Sequence, residues 1–285
     1  MRIGFIGAGK VGFTFGKYLK EKGLDIGGYY NRTPESAKEA AAFTDTLVYE
    51  TKEELIDSCD IVMLTVSDSA ISTVWQDIKN YSGLTGKIVC HTSGSISSKI
   101  FLDTPYQIYG YSIHPIYAIS DRYKSYKTLS NAFITIEGHE KYLKSILGIF
   151  SDAGLTCASI SGQHKTNYHA ACVMASNLVC GLYNTACQLM QTCGMTPEES
   201  QNALKGLFRD NAIGISDNGP VAQLTGPIER GDALTVEAHM GEIDKIYGFE
   251  NVSQIYRLLS KETLKLATIK NPDRDYSNIK DILEK

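Results

Sequence analysis

Paired cysteines are missing from this sequence. Its seven cysteines (Cys59, Cys90, Cys157, Cys172, Cys180, Cys187 and Cys193) form no C-x-x-C and show no metal-type spacing, so no metal site is expected. Cys172, Cys180 and Cys187 recur at near-heptad intervals and read as small buried hydrophobes in a reducing compartment. Nowhere do 18 apolar residues run uninterrupted, so no membrane span is expected. Strand-like residues begin at position 2, which speaks against a signal peptide and for a cytoplasmic protein. Polybasic blocks and acidic tails are absent too. The formal net charge of -4, with both signs interspersed, argues against a nucleic-acid binder. Internal repeats and low-complexity linkers are not found. What remains is a chain of 285 residues, 43% hydrophobic and 21% charged, long enough for two ordinary globular domains.

The chain opens on "RIGFIGAGKVGFTFGKYLKEKGL". An apolar strand over 2–6 runs into a glycine cluster and an amphipathic helix over about 10–22. Gly7, Gly9 and Gly12 match G-x-G-x-x-G in the strand-to-helix context that gives this pattern meaning. Gly7 serves the tight turn, Gly9 lets the backbone approach a pyrophosphate, and Gly12 lets helix and strand pack closely. The helix N-terminus then faces phosphate with its free amides. The next strand, "LDIGGYY", ends at "NRTPES". An acidic residue at that tip would select NAD by accepting from the ribose 2'-hydroxyl. Asn31 and Arg32 stand there instead, and a guanidinium suits a 2'-phosphate, with a helix starting at Thr33–Pro34 to help. NADP(H) is the expected cofactor.

Alternation continues through a short helix at 53–58 and strands at 60–66 ("DIVMLTV"), 87–95, 109–116 and 132–138. In a doubly wound sheet the C-terminal strand tips line the ligand crevice. Ser67 and Asp68 follow one tip, placed to touch cofactor, although helix N-capping is the commoner role there. His91, Thr92, Ser93 and Gly94 end another, and His114–Pro115 a third. After "LTCASIS" (155–161) the strands stop. Residues 163 to about 193 read as one long helix of small residues, roughly 45 Å at 1.5 Å per residue, with further helices near 197–211, 232–247 and 251–269. The fold class is therefore α/β: an N-terminal Rossmann, doubly wound, mostly parallel sheet (1–161), then an all-helical substrate and dimerisation domain (162–285). Lys165 and His169, at i and i+4, share one face of the long helix. Asn177 lies about 120° away, and "QLTGPIERGD" (223–232) carries Arg230. An ammonium beside a ketone oxygen stabilises the alkoxide formed on hydride transfer and donates its proton. The alternative for Lys165 is an exposed first-turn lysine, and for His169 a capping or core histidine.

The segments "GFIGAGKVG", "VSDSAI", "HTSG", "SIHP", "KTNYHAA…ASN" and "LTGPIERGD" together resemble a family of Rossmann-like oxidoreductases whose helical C-terminal domain was catalogued as of unknown function. That family is similar to 6-phosphogluconate dehydrogenase, β-hydroxyacid dehydrogenases and ketopantoate reductase, and includes an alternative type of ketopantoate reductase. The resemblance implies a catalytic lysine opening the inter-domain helix, the place of Lys165. His169 stands where relatives carry an asparagine. It also implies dimerisation through the helical domain. The expected activity is NADPH-dependent reduction of a small 2-keto acid, with ketopantoate, in pantothenate biosynthesis, the first candidate. Alternatives are an imine reductase (pyrroline carboxylate), a deazaflavin-linked reductase, and a non-catalytic NADP-binding sensor. Expected cofactor contacts are Gly7, Ala8, Gly9, Lys10, Val11 and Gly12, then Asn31, Arg32, Thr33 and Ser36, then Val66, Ser67, Thr92, Ser93 and Gly94. Catalysis is assigned to Lys165, His169 and Asn177, and substrate binding to Ser93, His114 and Arg230.

Overall fold

The computed structural model describes residues 1–246 and 248–284. The chain divides into two compact units, Met1–Ser176 and Asn177–Lys285. In the first, elements alternate as β1 (Ile3–Ile6), α1 (Lys10–Glu21), β2 (Ile26–Tyr30), α2 (Pro34–Thr44), β3 (Leu47–Val48), α3 (Lys52–Ser58), β4 (Ile61–Leu64), α4 (Asp68–Ile78), β5 (Ile88–His91) and β6 (Tyr109–Ile116). They continue as β7 (Phe133–Gly138), α5 (Glu140–Asp152), β8 (Thr156–Ser159) and α6 (Lys165–Met174). The strands form one eight-stranded sheet in the order β3-β2-β1-β4-β5-β6-β7-β8. Every pairing is parallel except β6 with β7.

Parallel strands covered on both faces must be largely apolar, and β1 and β4 are buried at every position. Odd positions Ile3, Phe5, Ile61 and Met63 enter one hydrophobic cluster with Phe13, Phe15 and Tyr29. Their neighbours Ile6, Val62 and Leu64 enter a second cluster with Trp75 and Phe101. Helix α3 begins where the sequence places a capping box: the Thr51 hydroxyl accepts from the Glu54 amide, and the Glu54 carboxylate accepts from the Thr51 amide.

The second unit holds α7 (Asn177–Thr192), α8 (Pro197–Asn218), two single-turn helices α9 (Pro220–Gln223) and α10 (Pro227–Arg230), then α11 (Ala233–Ile243), α12 (Glu250–Lys270) and α13 (Ser277–Glu284). Its core is small, built on Ile228, Val236, Met240, Ala267, Ile279 and Leu283.

Two expectations are corrected here. The long helix at 163–193 is not continuous: α6 stops at Met174 and α7 starts at Asn177. The Ser176 hydroxyl donates to the Cys172 carbonyl at 2.6 Å, the back-bonding that competes with the helical ladder. Nor is that segment buried. Only Lys165 in α6 and Cys187 in α7 are enclosed, and Cys180 is exposed. By length and composition the stretch Gly162–Thr192 could cross a membrane, with a mean hydropathy of 1.2, although it carries no uninterrupted apolar run of 18 residues.

Candidate active site

The first site feature is a cleft of about 640 Å³ at the C-terminal ends of β1, β2 and β4. Gly7, Gly9, Asn31, Arg32, Thr33, Val66 and Ser67 line it, together with Lys52 and Asp77. The three glycines there are glycines for three reasons. Gly7 has φ +116°, a conformation side chains rarely adopt. A Cβ on Gly12 would lie 2.4 Å from the Gly7 carbonyl oxygen, so the turn and α1 could not pack. A Cβ on Gly9 would meet nothing closer than the Thr65 carbonyl at 3.8 Å. The fold itself makes no demand for glycine at position 9.

Asn31 is held by two bonds, accepting from the Ala8 amide at 3.2 Å and donating to the Thr33 carbonyl at 3.1 Å. It braces the glycine loop against the tip of β2. Arg32 is exposed and, among the described residues, forms no ion pair and no side-chain hydrogen bond. A guanidinium left uncommitted at the cleft fits a phosphate. Lys10 and Val11 lie in the first turn of α1, and Ser36 in that of α2. Ser67 occupies the N-cap position of α4 without a capping bond from its side chain.

A second set of polar groups gathers where α6 crosses the antiparallel pair β6–β7. Register places His91 beside Ser112, Ser112 opposite Glu137, and His114 opposite Thr135. Because strand side chains alternate faces, Ser112, His114, Thr135 and Glu137 form a polar row on one face. Lys165, Tyr168 and His169, at i, i+3 and i+4, form the facing stripe on α6.

Lys165 is only 2% exposed, and its ammonium donates to the Ser112 hydroxyl at 2.5 Å. Ser112 passes its own proton to the Ser93 carbonyl at 3.1 Å. Ser93 and Ser95 both donate to the Asp68 carboxylate, at 2.6 and 3.0 Å. Burial pulls Lys165 below the ordinary lysine range, and the carboxylates of Glu137 and Asp68 pull it partly back. Glu137 is itself buried and accepts from the Ser98 amide and hydroxyl. Burial pushes His114 down to about 4, helped by the Lys165 charge. His91, fully enclosed, is pushed to about 4 mainly by burial, and its Nδ1 accepts from the Ser93 amide at 3.2 Å. Both imidazoles are neutral at pH 7.

Gly94 closes this arrangement. A Cβ there would lie 2.6 Å from His169 Nδ1 and 2.8 Å from His114 Nε2, so only glycine lets both rings approach the loop after β5. Thr92 is half-buried in the same loop. The first unit thus brings Ser93, Gly94, His114, Lys165 and His169 together. Asn177 opens α7 and Arg230 ends α10, both in the second unit. The helical wheel that put Asn177 120° from Lys165 does not apply across the interrupted helix. Glu229 is engaged by Asn271 and Arg274 rather than by Arg230, and Asp232 caps α11. Sequence reasoning missed Ser112, Thr135, Glu137 and Tyr168, and read Asp68 as a helix cap or a cofactor contact. The signal was present as S-x-H in "YSIHP" and T-x-E in "ITIEG", polar alternation inside otherwise apolar strands.

Residues 2–93 match the family "NADP oxidoreductase coenzyme F420-dependent". Residues 132–263 match a domain of unknown function, DUF2520. Among solved structures, the chain is similar to protein TM1727 from Thermotoga maritima, with a TM-score of 0.78 and 25% identity over 94% of this chain and 99% of that one. It is also similar to BF3122 from Bacteroides fragilis, with a TM-score of 0.73 and 21% identity over 93% and 98% of the two chains. Pyrroline carboxylate reductase from Plasmodium falciparum, solved with NADP bound, gives a TM-score of 0.59 and 14% identity over 94% and 98%. These two more distant likenesses carry the fold. No curated protein matches the sequence. The expected NADP(H) cofactor agrees with the family matched by the N-terminal segment.

Proposed function

We propose that the chain is an NADPH-dependent reductase of a small 2-oxo acid. The observation that carries this reading is the buried Lys165 ammonium, hydrogen-bonded to Ser112 and close to the neutral imidazoles of His91 and His114. When bound, NADPH supplies a hydride to the carbonyl carbon. The glycine loop and Arg32 would hold the cofactor's phosphates, with Gly9 giving the backbone its close approach. Lys165 would polarise the carbonyl and give its proton to the oxygen, so that C=O becomes CH–OH with the charge balanced. Its pKa, lowered by burial, makes it a stronger acid than a surface lysine.

A second reading, reduction of a C=N bond, is favoured by the likeness to the pyrroline carboxylate reductase. Charge argues against it in part, because a protonated imine beside the Lys165 ammonium would be repelled. Ketopantoate draws no support from these comparisons; the broader 2-oxo acid class is what the lysine supports. NADPH oxidation measured with 2-oxo acids and with cyclic imines separates the two readings, and turnover of imines alone would overturn the first.

Dimerisation through the second unit belongs to the same proposal. Leu178, Leu182, Leu207, Phe208, Ile213 and Ile215 on α7 and α8 are exposed, an apolar surface that a second copy would cover. Light scattering showing a monomer at micromolar concentration would remove it.

A further inference from the structure

We propose that Tyr168 is a positioning residue that fixes His114 as an Nε2–H donor beside Gly94, ready for an oxygen of the substrate; the substrate part of this rests on the function proposed above. Thr135 Oγ1 lies 2.8 Å from the Tyr168 hydroxyl and 3.3 Å from the His114 carbonyl. Its single proton goes to the nearer oxygen, so Tyr168 accepts from Thr135. Cys172 also adjoins the Tyr168 hydroxyl, but a thiol is a weak acceptor, and the one proton of Tyr168 goes to His114 Nδ1, at 2.6 Å. A neutral imidazole carries one N–H. With Nδ1 accepting, that proton sits on Nε2.

The Nε2 edge faces Gly94, as the 2.8 Å approach to an added Cβ shows. Within 2.6 Å of the same point lies His169 Nδ1, a buried nitrogen with no hydrogen-bond partner among the described residues. His114 Nε2 likewise makes no hydrogen bond there. The His114 Nε2–H, unpaired and fronting Gly94, is a donor that a bound oxygen would satisfy. An N–H donor so placed, with the Lys165 ammonium nearby, selects a carboxylate or carbonyl oxygen. The reverse order of protons, with Nδ1–H donating to Tyr168, would present a bare nitrogen that repels such an oxygen.

The test is a ¹⁵N–¹H correlation spectrum of the full chain carrying ¹⁵N-histidine, which reads the tautomer of each ring. Wild type should show His114 protonated at Nε2 and bare at Nδ1. Tyr168→Phe should lose the single tautomer. Thr135→Val, which keeps the tyrosine, should weaken it in the same direction. Tyr168→Phe should also lower kcat/KM for a 2-oxo acid by about tenfold, the scale of one hydrogen bond, and leave the KM for NADPH unchanged. A protonated Nδ1 in wild type, or an unchanged His114 signal in Tyr168→Phe, would overturn the inference. An intact Nε2–H signal in a protein that turns over no substrate would instead overturn the proposed activity and leave the tautomer assignment standing.

Discussion

Substituting Gly9 and Gly12 separately by alanine distinguishes what the fold requires from what a cofactor requires. At Gly12 the new Cβ would sit 2.4 Å from the Gly7 carbonyl oxygen and 2.8 Å from Thr65 Oγ1. Neither can retreat easily, because Thr65 Oγ1 donates to that same carbonyl at 2.7 Å. Overpacking of this kind costs about 2 kcal/mol, or a drop in Tm of about 4–8 °C for a unit of this size. At Gly9 the backbone, with φ -85° and ψ -172°, is open to alanine, and the nearest atom is 3.8 Å away. The stability cost should stay within about 1 kcal/mol, the scale of a changed helix cap. The same methyl group would stand where a pyrophosphate approaches, so NADPH should bind at least about tenfold more weakly, about 1.4 kcal/mol. Thermal unfolding and NADPH fluorescence titration on both variants give the two numbers. Gly9→Ala binding NADPH like wild type would refute the reasoning, as would a loss of stability matching that of Gly12→Ala.

Other expectations follow from the same geometry. Arg32→Ala should weaken NADPH by roughly ten- to a hundredfold, the scale of a charge-assisted bond, and NADH hardly at all; equal loss for both in titration would remove the 2'-phosphate assignment. His91 and His114 titrate near 4 when folded and near the usual 6.5 when unfolded. The unfolded chain therefore binds more protons between these values, and stability is lost as pH falls from 6.5 to 4. For enclosed His91 this amounts to about 3 kcal/mol, read from urea unfolding at a series of pH values. A flat profile over that window would contradict the burial argument. On the alkaline side, turnover should fall at a pH below the ordinary lysine range as Lys165 loses its proton. An alkaline limb that persists in Lys165→Ala would assign it to another group.

Much of this was legible because both faces of a parallel sheet demand apolar residues, so runs such as "IVML" and "IVCH" could be nothing else. The edge strand Leu47–Val48 escaped notice: two half-exposed or exposed residues carry no period. The antiparallel placement of β7 was equally hidden, since an apolar run does not record its direction. That direction sets the register pairing His114 with Thr135 and Ser112 with Glu137. Lys165 was found from its place after a nucleotide fold, but its partners lie up to 97 residues away in sequence and meet it only through the sheet. The break at residues 175–176 was invisible because alanine and serine are acceptable in a helix interior.

The most direct test of the account is NADPH oxidation by the wild-type chain and Lys165→Ala, measured across 2-oxo acids and cyclic imines at saturating cofactor. The account predicts turnover of at least one 2-oxo acid, reduced roughly 10²–10⁴-fold in kcat by the substitution, with NADPH affinity preserved. Near-normal turnover in Lys165→Ala would contradict it.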